Sequence, residues 1–130
     1  MPINVSISKE QMLQTKIVQP GVYVLNIADV YQQPAKTDPD SMTNVVKFII
    51  ESGPDASSIG VPILYYMGEK HMEYQVEFLQ IAFGKKLSTD GIANLDIELL
   101  KGRKIKAYVK SGRFNGRDKN EIQGFMPLTS

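Results

Sequence analysis

The chain is expected to be mainly β: a five-stranded barrel with a helix between the third and fourth strands and a short N-terminal extension. Three observations predict this. β-Branched and aromatic residues concentrate in five runs of strand length. The period-two pattern gives way to a helical period between residues 72 and 83. Asn115-Gly116 separates the last two runs by a turn of hairpin chemistry. With 130 residues and no repeat or low-complexity linker, one domain is the expectation.

The elements follow in order. Residues 1–19 read as an extension, in which Ile3, Val5 and Ile7 alternate with polar residues and Ser8 with Gln11 suits the cap of one helical turn before Pro20-Gly21. The domain proper is assigned to residues 20–130. Val22 to Tyr31 is the first strand, apolar on both parities and therefore not freely exposed. Gln33 to Met42, with Pro34 and Pro39 among turn formers, is read as loop. In the second strand, Thr43 to Ser52, Val46, Phe48 and Ile50 share one face and Val45, Lys47, Ile49 and Glu51 the other. Gly53-Pro54-Asp55 turns the chain into a third strand, Gly60 to Met67.

Met72, Val76, Leu79 and Phe83, flanked by Phe78 and Ala82, then form an apolar helical stripe that closes at Gly84, and a second helical stretch is expected from an Asn94 cap to Leu100. Arg103 to Ser111 is the fourth strand, with Ile105, Ala107 and Val109 on one face and Lys104, Lys106, Tyr108 and Lys110 on the other. The fifth, Lys119 to Met126, returns from the hairpin. Three strands, a helical connection and a two-stranded hairpin match the five-stranded OB-fold barrel better than a seven-stranded sandwich.

Composition removes most chemistry. There is no Cys, so no disulfide scaffold, thiolate metal site or thiol nucleophile, and the lone His71 rules out a site needing two imidazoles. His71 itself reads as a surface residue near a helix start, among Glu69, Glu73 and Glu77. Asp38-Pro39-Asp40-Ser41 lacks the glycine and distal glutamate of a calcium loop, and Lys101-Gly102-Arg103-Lys104 lacks the Gly-rich turn of a nucleotide-phosphate loop. No catalytic set and no metal or other cofactor is expected. No apolar run approaches a membrane span, and no secretion signal is visible, so the expectation is a cytoplasmic protein without membrane contact.

The net charge of +1 is a cancellation. Residues 1–100 hold seven Lys and Arg against twelve Asp and Glu, a formal −5, whereas residues 101–130 carry +6. That basic segment is what a polyanion partner attracts. Lys104, Lys106, Tyr108 and Lys110 alternate along one strand face, with Arg113, Phe114, Arg117 and Lys119 around the turn. Ammonium and guanidinium groups attract phosphates, and an aromatic ring offers any base a stacking surface. Tyr31, beside the first loop, and one of Tyr65 and Tyr66, which occupy opposite faces of strand three, are further candidate rings; Tyr31 and Tyr66 are the two assigned to the site, with the core as the alternative for each. Tyr23, Phe48, Phe78, Phe83 and Phe125 are assigned to the core.

Pro20 to Ile27, the Leu100-Lys101-Gly102-Arg103-Lys104-Ile105 step, Phe114-Asn115-Gly116-Arg117, Asn120-Glu121-Ile122 and Phe125-Met126-Pro127 together resemble bacteriophage-type single-stranded DNA-binding proteins of the OB-fold class. The likeness covers about residues 20–127 and rests on short, mostly structural motifs. It implies a non-catalytic protein that coats single-stranded DNA without strong sequence preference in phage replication, recombination or repair, in the cytoplasm of a bacterial host. It also implies contacts with replication or recombination proteins. The chain departs from many such proteins in having no acid after Glu121, so recruitment through an acidic tail is not expected. The alternative is a protein-interaction or virion-structural module on the same scaffold. The Ile3, Val5, Ile7 segment is suited to strand addition, onto its own barrel or onto a second copy in a homodimer.

Overall fold

The computed structural model describes residues 12–13, 16–34, 42–68, 75–84, 96–114 and 116–128, with Phe114 and Arg117 described for backbone only. Five strands, β1 (Gly21–Pro34), β2 (Met42–Ser52), β3 (Pro62–Gly68), β4 (Lys104–Phe114) and β5 (Arg117–Met126), form one antiparallel sheet in the order β3-β2-β1-β4-β5. A short α-helix, α1 (Val76–Phe83), lies between β3 and β4. The first three strands form a meander and β4 crosses to the free side of β1, which is the four-strand Greek-key arrangement, extended by β5.

β1 is the shared strand, pairing with β4 through Gly21–Asn26 and with β2 from Val24 to Pro34. Its register against β2 shifts between Ile27 and Asp29. The extra residue reverses the inward parity, so Tyr23, Leu25 and Ile27 face the core before the shift and Val30 after it. This explains why the sequence shows apolar residues on both parities. β1 also runs to Pro34, opposite Met42, so Gln33 and Pro34 belong to the strand and not to the expected loop.

The predicted barrel is not closed: among the described residues no ladder joins β3 to β5. Side chains occupy that seam instead. Phe125 of β5 stands 5.1 Å from the Tyr65 ring of β3 and 4.5 Å from Phe78 of α1, between ring centroids, and Phe78 in turn contacts Phe48 at 5.9 Å. Burial and edge-to-face packing of rings thus hold the two edges together where backbone bonds are missing.

The helix buries Phe78, Leu79 and Ala82, all on the expected apolar stripe or flanking it, while Val76 and Phe83 are half-buried. Gly84 ends it in the left-handed region, φ +70°, donating to Gln80 and Ile81 carbonyls. The second helical stretch is a single 3₁₀ turn, Ile97–Leu100, whose cap is Asp96, its carboxylate accepting from the Glu98 amide at 3.1 Å. Asn94, the expected cap, lies outside the described residues, as do Ile3, Val5, Ile7, Ser8, Gln11, Asp38 to Ser41, His71 and Met72.

Before β1, Val18 enters the core, and the Asn120 side chain on β5 accepts from the Val18 amide at 2.9 Å and donates to the Lys16 carbonyl at 2.8 Å. No helix among the described residues is long and apolar enough to cross a membrane.

Candidate nucleic-acid interface

Strand alternation sends Ile105, Ala107 and Val109 of β4 into the core and leaves Lys104, Lys106, Tyr108 and Lys110 on the outward face. Tyr108 lies between Val22 of β1 and Gly124 of β5. A side chain at Gly124 would meet nothing within 4 Å, so the surface beside the tyrosine is open. Phe114 and Arg117 pair across the hairpin, and Gly116 takes φ +76°, as a two-residue primed turn requires.

Acids from elsewhere in the chain meet this basic strip. Lys104 reaches over β1 to Glu51 of β2 at 2.6 Å, Lys101 binds Asp29 at 3.3 Å, and Arg113 binds Asp118 at 3.3 Å. Lys110 pairs in register with Glu121, whose carboxylate lies over Gly112, within 2.2 Å of where a Cβ would stand. Lys119 is exposed opposite Gly112. Arg103 is structural: it donates to the Ala82 and Leu99 carbonyls and stacks on Phe83 at 5.3 Å, joining the end of α1 to the 3₁₀ turn. The ion pairs are solvent-exposed and screened by water, so an incoming phosphate can displace the carboxylates.

The other end of the outward face carries the remaining rings. Tyr31 of β1 and Tyr66 of β3 are the two cross-strand neighbours of Val45 on β2. Both rings are exposed, 38% and 48%, whereas Val45 between them is 0% exposed. An outward-facing valine is buried only if its neighbours cover it, so the three side chains form one apolar ridge. Tyr65, on the opposite parity, joins the core; its hydroxyl bonds the Gln75 side chain, and burial, with the Glu77 charge, pushes its pKa up.

Below the ridge lies a concavity of about 440 Å³ lined by Asp29, Tyr31, Lys47, Pro62 and Leu64. Lys47 is its centre in register, between Asp29 on β1 and Leu64 on β3. The Asp29 carboxyl is held below its ordinary pKa, chiefly by its bond to Lys101 and then by the Val30 amide, so it is ionised at neutral pH. The sequence pattern already set Lys47 on the outward parity of β2. It gave no reason to single out one lysine in an acidic segment, and Asp29 reaches that face only through the parity reversal in β1.

No protein-family model and no curated protein sequence matches this chain. Among the described residues no group of three His, Asp or Glu side chains is placed to hold a metal ion.

Proposed function

We propose that this protein binds single-stranded DNA along the outward face of its sheet, without catalysis, on an OB-type scaffold opened at the β3–β5 seam. The observation that carries this reading is that Tyr31, Tyr66 and Tyr108, each at least 37% exposed, stand on one outward sheet face with Lys47, Lys104, Lys106 and Lys110. Exposed rings grouped on one face, unlike singly scattered ones, mark an interaction surface, and bases stack on them regardless of sequence. Two tyrosines form the β1–β3 end and Tyr108 the β4 end. Val22, the β1 neighbour of Tyr108, and Tyr31 are at most about 30 Å apart along β1. That span suits the roughly 4–16 nucleotides that one such domain occupies.

The Greek-key order, with a helix between β3 and β4, supports the OB assignment; that fold binds oligonucleotides on its strand 2–3 face and adjoining loops. DNA in preference to RNA, contacts with replication or recombination proteins, and a setting in phage replication, recombination or repair rest on the sequence resemblance. A gel shift with single- and double-stranded probes at low and moderate salt tests the reading. A shift of the single-stranded probe, weakened in Tyr66→Ala and Tyr108→Ala, is expected. No shift of either probe at low salt contradicts it and favours a protein-interaction module.

A further inference from the structure

We propose that the concavity beside Tyr31 receives one base of the bound strand and prefers guanine, through the carboxylate of Asp29. The inference rests on the single-strand reading above and adds a base preference to it. The cavity's walls divide as a nucleotide does. Tyr31, Pro62 and Leu64 supply apolar surface for a base, and Lys47, at the centre of the floor, supplies a cation for the adjoining phosphate. Asp29 is the one wall of the cavity that neither stacking nor phosphate binding uses, because a carboxylate repels phosphates. It is an acceptor without a donor of its own.

Its orientation is fixed. Oδ1 accepts from the Val30 amide at 2.9 Å and from Lys101 at 3.3 Å, and among the described residues no bond reaches Oδ2. Guanine presents two adjacent donors, N1–H and the N2 amino group, that one carboxylate accepts side by side, in the forked geometry that makes such pairs strong. Cytosine and adenine place a ring-nitrogen lone pair beside their amino group. Thymine sets its one N–H between two carbonyls, which face the carboxylate with like charge. The expected order is therefore dG first and dT last, with dC and dA between.

The experiment compares labelled oligo(dT) with the same oligonucleotide carrying one central dG or one central deoxyinosine, which keeps N1–H and lacks the amino group. The dG oligonucleotide should bind roughly tenfold tighter than oligo(dT), with deoxyinosine intermediate. Asp29→Asn should raise affinity for oligo(dT), since an anion is lost, remove the fork that favours the dG strand, and so bring the dG to dT ratio close to one. Glu51→Gln removes an anion from the same face and should leave the ratio intact. Equal affinities for dG and dT strands, or a ratio that survives Asp29→Asn, overturn the base preference and leave single-strand binding standing. If Asp29→Asn does not fold, the deoxyinosine comparison on the unaltered protein decides alone, inosine equal to guanine counting against the forked pair. Failure to bind any of the strands overturns the single-strand reading itself.

Discussion

If rings close the β3–β5 seam in place of backbone bonds, Phe78 and Phe125 must be energetically coupled. Replacing each by Leu keeps most of the volume but removes three ring contacts, so each single change should cost about 1.5–4.5 kcal/mol. What Leu cannot supply is the ring-to-ring term. Phe78 and Phe125 are 4.5 Å apart at 44°, and each also contacts Tyr65 and Phe48. An aromatic pair in such contact contributes about 0.5–1.5 kcal/mol beyond its buried area. A double-mutant cycle of Phe78→Leu and Phe125→Leu, read by urea denaturation with a common slope, should therefore return a coupling of about 1 kcal/mol. Amide exchange should show β5 losing protection before β1 and β2 in the double variant. Costs that add to within about 0.3 kcal/mol would refute the account of the seam, because independent sites add that closely.

Four further outcomes follow from the same geometry. Gly53→Ala puts a Cβ 2.1 Å from Cδ1 of the fully buried Tyr23 ring, whose hydroxyl is held by the Gln19 carbonyl at 2.6 Å, so thermal unfolding should show a loss of about 1–3 kcal/mol. Asn120→Ala removes the side-chain bonds to the Val18 amide and the Lys16 carbonyl, and should cost about 1–3 kcal/mol and raise exchange at the Val18 amide. Lys104→Ala should change stability by less than about 1 kcal/mol, since its pair with Glu51 is exposed, while lowering the salt slope of binding by about 0.7. The folded Asp29 carboxyl titrates below its unfolded value, so its contribution is present above the unfolded pKa and lost as pH falls through the folded one. Asp29→Asn should therefore flatten the acid limb of urea midpoints measured down from pH 6, and an unchanged limb would contradict the Lys101 bond.

Local signals carried the strand pattern, because period-two alternation in β2 and β4 is a direct consequence of burial on one side. The outward set Lys104, Lys106, Tyr108 and Lys110 was legible for that reason. The Asn115-Gly116 hairpin and the Gly84 helix stop were legible because positive φ selects glycine. What local signals cannot carry is anything set by a register shift or a long-range contact. The reversal of parity in β1 put Asp29 on the outward face, and the meeting of Phe78, Tyr65 and Phe125 in the seam joins residues from three separate elements. The acids opposing the basic strip come partly from Asp29 and Glu51, more than fifty residues away in sequence, so charge segregation along the chain overstated its segregation in space. Burial of Val45 follows only from seeing Tyr31 and Tyr66 on either side of it.

On the proposed function, the exposed tyrosines and lysines of one sheet face bind a single strand. With six Tyr and no Trp, the protein's own tyrosine fluorescence reports base stacking. Titration with oligo(dT) at a series of salt concentrations should quench it, with affinity falling linearly in the logarithm of salt at a slope of about 0.7 per phosphate contacted. Tyr31→Ala, Tyr66→Ala and Tyr108→Ala should each weaken binding by roughly fivefold or more. Binding that is indifferent to salt, or that leaves tyrosine fluorescence and all three variants unchanged, would contradict the account.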